Sequence, residues 1–184
     1  MAAPALVTPY AVLSFPQLFS PKPRAESGPP VFSCALLFTA EKQKSSEYKT
    51  MVAAVRNLAK AKFPTTPIDK LTLPFKKAEE KPYAGYEPGM IYINPWSTYK
   101  PEVIDRQKQE ILDPAEVWAG QIVRAYVTPF NWTNSGKHGI SFGLNHIQVV
   151  KKDSPRIDGR APARNVFPDL ADEYEDEDDV DSVL

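Results

Sequence analysis

Residues 121–150 read QIVRAYVTPFNWTNSGKHGISFGLNHIQVV, and the fold turns on how they are read. Side chains of a β-strand alternate between two faces. From Gln121 to Trp132 one face holds Val123, Ala125 and Val127, and the other holds Arg124, Tyr126, Thr128, Phe130 and Trp132. Gly139 to Val150 is a second strong strand. Between them, Thr133-Asn134-Ser135-Gly136-Lys137 supplies the residue types that tight turns require. The stretch predicts a hairpin with a small apolar face suited to a barrel interior and an opposite face carrying rings and a cation.

Outward from this hairpin the chain is strand-rich and proline-broken. Ala11–Phe15 ends at Pro16, and Val31–Phe38 is an apolar run framed by prolines and charges, which favours strand over helix. Gly89–Asn94 alternates cleanly and stops at Pro95, with Ile91 and Ile93 on one face and Met90, Tyr92, Asn94 and Trp96 on the other. Leu71–Leu73 is a short strand, and residues 101–111 read as strand or loop. The single good helix is Ser46–Lys62, where Met51, Val52, Val55, Leu58 and Ala59 recur at three-four spacing behind a cap at Ser45 or Ser46. Asp113-Pro114-Ala115-Glu116 is a helix-start signature good for one or two turns. These elements predict a mainly β barrel or sandwich with one helix.

Composition narrows the function. The chain has 184 residues, 42 % apolar and 24 % charged, enough for one domain with a real core. Nineteen prolines exclude a long-helix bundle. No apolar run approaches a membrane span, and Met1-Ala2-Ala3-Pro4 lacks the start of a secretory signal, so Asn131-Trp132-Thr133 is a chance sequon. One cysteine, Cys34, reads as a buried small hydrophobe. His138 and His146 are too few for a metal cage, Gly136, Gly139 and Gly143 lack the spacing of a phosphate loop, and no catalytic constellation is present. Neither an enzyme nor a cofactor is expected.

The net charge of −1 conceals an asymmetry. Asp169, Asp172, Glu173, Glu175, Asp176, Glu177, Asp178, Asp179 and Asp181 crowd the C-terminus without a lysine or arginine, which leaves the rest of the chain at +8. A basic body with an acidic tail fits a polyanion-binding protein; a solubilising tail fits the charge split equally well. The aromatic strand faces favour the first. Unpaired bases stack on flat rings, at ~1–3 kcal/mol per base. Tyr92, Trp96, Tyr99, Tyr126, Phe130 and Trp132 are the candidate platforms, and Lys100, Arg106, Lys108, Arg124 and Lys137 the candidate phosphate contacts. Alternatively, Tyr126, Phe130 and Trp132 cover a second small core beneath the helix.

The stretch Asp113–Val150 resembles a family of phage single-stranded DNA-binding proteins. The likeness rests on Asp113, Pro114, Glu116, Val117, Trp118 and Gly120, on Asn134 and Gly136 at the turn, and on the block Gly139, Ile140, Ser141, Gly143, Leu144, Asn145, Ile147 and Gln148. Leu13–Pro21, Ile93-Asn94 and Pro101–Asp105 extend it over most of residues 10–150. The resemblance implies an OB-fold-like five-stranded barrel with one inserted helix, a DNA-binding cleft and a disordered acidic C-terminal tail.

The chain then divides into a flexible arm (1–9), the OB-fold nucleic-acid-binding domain (10–150), a basic proline-rich linker (151–168) and the tail (169–184). The expected function is sequence-independent coating of single-stranded DNA in phage replication or recombination, in the cytoplasm of the infected host. Double-stranded DNA and RNA stay open as partners, as does a homodimer. Residues Asp172, Glu173, Glu175, Asp176, Glu177, Asp178, Asp179 and Asp181 would recruit phage replication proteins and compete with DNA. The alternative is a non-enzymatic phage assembly or host-interaction module that uses the barrel to dock protein.

Overall fold

The computed structural model describes residues 3–159, 166–168 and 170. In chain order the strands are β1 (Leu6–Val7), β2 (Ala11–Pro23), β3 (Pro30–Phe38), β4 (Lys76–Lys77), β5 (Ile91–Ile93), β6 (Trp96–Ser97), β7 (Glu102–Ile104), β8 (Ile122–Asn134) and β9 (Lys137–Lys151), with helix α1 (Ser46–Lys62) after β3. The fold is mainly β. Five strands close a ring in the order β8-β2-β3-β6-β9 and back to β8. Only the β6–β9 contact in this ring is parallel, through Trp96 and Gly143. Numbered by chain position, the ring runs first, second, third, fifth, fourth, which is the connectivity of an OB-type barrel.

The hairpin forms as its alternation dictates. Val123, Ala125 and Val127 of β8 and Ile140, Phe142, Leu144, Ile147 and Val149 of β9 are buried in the barrel, while Arg124, Tyr126 and His146 face out. The turn is tighter than the sequence suggests. Pairing continues through Thr133–His138 and Asn134–Lys137, which leaves only Ser135 (φ 50°) and Gly136 (φ 77°) in the bend. Two positive φ values are what a two-residue turn needs to match the twist of its strands.

Helix α1 spans the expected residues. Ser45 accepts the Tyr48 backbone N–H at 3.2 Å, and Tyr48, Met51, Val55, Leu58 and Ala59 pack on the barrel core. Burial of a side chain such as Met51 or Val55 is worth about 1.5–3 kcal/mol. Cys34 lies in the same core, and burial pushes its thiol up to about 12. Because the thiolate is the reactive form, Ellman's reagent at pH 8 should leave the folded protein unlabelled and react only as denaturant unfolds it. Rapid stoichiometric labelling of the native protein would contradict this placement.

Three expectations need correction. Residues 1–9 are not a loose arm as far as they are described: Leu6 and Val7 pair with β8, and Thr8 exchanges hydrogen bonds with Ala125. Strand β2 does not stop at Pro16 but runs to Pro23, because bulges between Ser14 and Gln17 and between Gln17 and Lys22 absorb the prolines. The start of the supposed linker is docked. Gln121 donates to the Lys152 carbonyl, the Trp118 indole donates to the Ser154 carbonyl, Lys152 pairs with Glu116, and the Ile157 N–H bonds Ala119. Most of the acidic tail lies outside the described residues.

Candidate nucleic-acid interface

The outer face of the ring is assembled from register. Gln17, Ser33 and Trp96 form one row across β2, β3 and β6. The parallel contact with Gly143 then brings Trp96 beside β9 and β8. Its indole meets the ring of Phe130 edge-on, centroids 5.6 Å apart at 83°. Arg24, from the turn between β2 and β3, lies over the Trp96 ring at 5.1 Å. Burial lowers the Arg24 pKa from its ordinary value, yet guanidinium stays charged at any working pH. Trp96, Phe130 and Trp132 thus share one cleft of about 350 Å³, with Asn94 and Asn134 as hydrogen-bonding groups and Arg24 and Lys76 as cations. Among the described residues, none that lines it is acidic.

Two features hold this cleft open. The first is a strap through Thr72, whose N–H donates to the His138 carbonyl at 2.9 Å and whose carbonyl accepts from Ile140 N–H at 3.0 Å. The second is Gly139. A Cβ there would stand 2.4 Å from Cζ2 of Trp132 and 2.6 Å from the Thr72 carbonyl oxygen. The missing side chain is the space that the Trp132 indole occupies.

The other candidates scatter. Tyr92 is not a platform: it is 4 % exposed and packs with Leu37, Ala78 and Tyr86 in a second small core outside the barrel wall. Arg124 and Tyr126 open onto a different groove of about 600 Å³, with Tyr10, His146 and Gln148. There the Arg124 Nε donates to Gln148 at 2.7 Å, Tyr126 lies parallel to His146 with centroids 6.3 Å apart, and Glu47 and Glu102 offset Lys42 and Arg124. That groove is the larger, but its charges cancel. Lys137 is exposed at the β8–β9 turn, close in sequence to Asn134 of the cleft. Tyr99 is 82 % exposed and Lys100 lies 5.9 Å from the Phe19 ring, both just beyond β6. Arg106 and Lys108 sit exposed on the turn after β7. The sequence reading missed Arg24 and Lys76. Arg24 stands in a proline-rich turn with no periodicity to assign it a face. Lys76 stands two residues after Pro74 in a segment without strand pattern.

Among the described residues no cluster of three or more His, Cys, Asp or Glu side chains could hold a metal, and no helix is long and apolar enough to cross a membrane.

A closed five-stranded ring of this connectivity defines an OB-fold, and among the described residues its outer face sets flat rings beside Arg24 and Lys76. Residues 5–180 match the family of the Enterobacter phage Enc34 ssDNA-binding protein, and the chain belongs to that family. The single-stranded DNA-binding protein from bacteriophage Enc34, in its complex with ssDNA, is similar over 82 % of this chain and 88 % of that one, at 20 % identity and a TM-score of 0.69. A second structure of the Enc34 protein matches 89 % of this chain and 90 % of its own at 19 % identity and 0.68. Gp2.5, a single-stranded DNA-binding protein encoded by bacteriophage T7, matches 94 % of this chain and 96 % of its own at 12 % identity and 0.57. At such identities the likeness speaks for the fold. No curated protein matches the chain.

Proposed function

We propose that this protein binds single-stranded DNA without sequence preference and without catalysis, in phage replication or recombination within the infected bacterial host. The observation that carries the reading is the cleft where Trp96, Phe130 and Trp132 meet Arg24 and Lys76, with no acidic group among the described residues that line it. The family to which the chain belongs supports it. Bases stack on the rings, and backbone phosphates pass Arg24, Lys76 and the turn residue Lys137. Tyr99 and Lys100 extend the contact past β6. Arg124 and Tyr126 lie off this path.

Titrating oligo(dT) while following tryptophan emission tests the reading. Saturable quenching is expected. Four phosphates neutralised by Arg24, Lys76, Lys137 and Lys100 give a slope of log affinity against log salt of about −3. No saturable change would favour the protein-docking module instead.

The acidic tail fits the same scheme as an internal polyanion that occupies the cationic cleft when DNA is absent and recruits replication proteins when DNA displaces it. Deleting residues 169–184 should then tighten oligo(dT) binding several-fold at low salt, with the difference vanishing at high salt as screening removes the competition. Equal affinities at low salt would remove the tail from the mechanism.

A further inference from the structure

One end of the outer face holds an aromatic patch that the cleft does not use. Phe15 sits in the bulge of β2, between the row Ser14–Ala35 and the row Gln17–Ser33–Trp96. Its φ is 44°, a left-handed value that a bulky side chain adopts only under strain. That strain does not hide the ring. Phe15 is 51 % exposed, and it meets Tyr83 edge-on at 4.9 Å and Tyr86 at 6.3 Å. Tyr83 is itself 45 % exposed, while Tyr86 rests on Tyr92 at 5.4 Å. The rings border a groove of about 570 Å³ whose far wall is Trp118, with Arg156 5.2 Å above its indole and paired with Asp158.

Glycine or asparagine would make the same turn without strain, and the contacts with Tyr83 and Tyr86 still leave half of the Phe15 ring open to solvent. Strain kept at an exposed ring points to a ligand that needs the ring there. The position narrows the ligand. Phe15 lies on the same face as Trp96 and is one bulge away from its row, so a chain leaving the cleft across β3 and β2 arrives at Phe15 and Tyr83. The exposed Lys81 directly follows Glu79 and Glu80, so this end offers stacking surface with little net charge.

We infer that Phe15 and Tyr83 form a second stacking platform for the same single-stranded DNA, engaged only by strands long enough to run past Trp96. The inference rests on the proposed cleft reading and extends it. Short oligonucleotides fill the cleft alone. Longer ones add a base or two at Phe15 and Tyr83, through stacking and not through phosphate contact.

Fluorescence anisotropy with labelled oligo(dT) of about four and about sixteen nucleotides, the span of site sizes for one OB barrel, separates the two platforms. Phe15→Gly removes the ring and its contacts with Tyr83 and Tyr86 but relieves the left-handed strain, and circular dichroism checks the fold; Tyr83→Ala is the second variant. Each should weaken the long oligonucleotide about tenfold, leave the short one unchanged, and leave the salt slope unchanged. Trp132→Ala should weaken both lengths. Wild-type affinity of both patch variants for the long oligonucleotide, with Trp132→Ala impaired, would overturn the second platform and keep the cleft. The same wild-type affinity accompanied by a changed oligomeric state would overturn it in favour of a contact between copies of the chain. Photocrosslinking of wild-type protein to 5-iododeoxyuridine in the long oligonucleotide gives an independent reading. Adducts at Tyr83 or Phe15 support the platform even if Trp132 proves dispensable, and adducts confined to the cleft overturn it.

Discussion

Trp132→Ala should weaken oligo(dT) binding by between about fivefold and a hundredfold, the loss of one base-stacking surface worth ~1–3 kcal/mol. The effect is this large because the indole is held ready before DNA arrives. It lies against the backbone of Gly139 and the Thr72 strap, so little freedom is lost when a base stacks on it. Trp132→Phe keeps a flat ring and should recover most of the affinity. Trp96→Ala should do comparable damage for a further reason: it removes the ring under Arg24, and the guanidinium then loses the contact that places it at the cleft. In every case the folded fraction is checked by circular dichroism first. Wild-type affinity in folded Trp96→Ala and Trp132→Ala would leave the cleft without its rings as binding groups.

The second large effect is expected at Gly139. Alanine there places a carbon 2.4 Å from the Trp132 ring and 2.6 Å from the Thr72 carbonyl oxygen. The ring can tilt, but the strap oxygen is backbone: it accepts the Ile140 N–H while the Thr72 N–H donates to the His138 carbonyl, so both sides of Thr72 are tied to β9. Overpacking of this kind costs about 1–3 kcal/mol, which lowers the melting temperature of a domain this size by about 2–4 °C per kcal/mol. Oligo(dT) affinity should fall as well, because Trp132 leaves its seat. The contact can be isolated by a cycle. In a Trp132→Ala background Gly139→Ala should cost less stability and no further affinity, a non-additivity that marks side chains in direct contact. Strict additivity would place the Trp132 ring elsewhere.

The barrel was legible wherever one residue's environment followed from its neighbours in sequence. The β8–β9 hairpin declared itself because Val123, Ala125 and Val127 alternate with Arg124 and Tyr126 and because Asn134–Lys137 can turn. Helix α1 did so through its cap and its apolar stripe. What alternation cannot reveal is which distant segment covers an outward face. Tyr92 is on the predicted face, yet the segment through Ala78 and Tyr86 folds over it and makes a second small core. Nor does a shared face of one strand mean a shared site. Arg124 and Trp132 both point outward from β8, but eight residues at about 3.3 Å each separate them, and the strand curves round the barrel between the two. Arg124 therefore opens onto the groove of Tyr10 and Glu102, and Trp132 onto the cleft of Trp96. Arg24 was hidden for the opposite reason. Its role depends on a turn that register alone brings above Trp96.

The protein has three tryptophans, at positions 96, 118 and 132, and their indole N–H signals in a nitrogen–proton correlation spectrum report the cleft directly. The Trp118 indole is tied to the Ser154 carbonyl, away from the cleft. Adding a four-nucleotide oligo(dT) should shift the Trp96 and Trp132 signals together, along one saturation curve, and leave the Trp118 signal in place. Saturable binding that leaves both cleft indoles unmoved would contradict the assignment of the cleft as the path of single-stranded DNA.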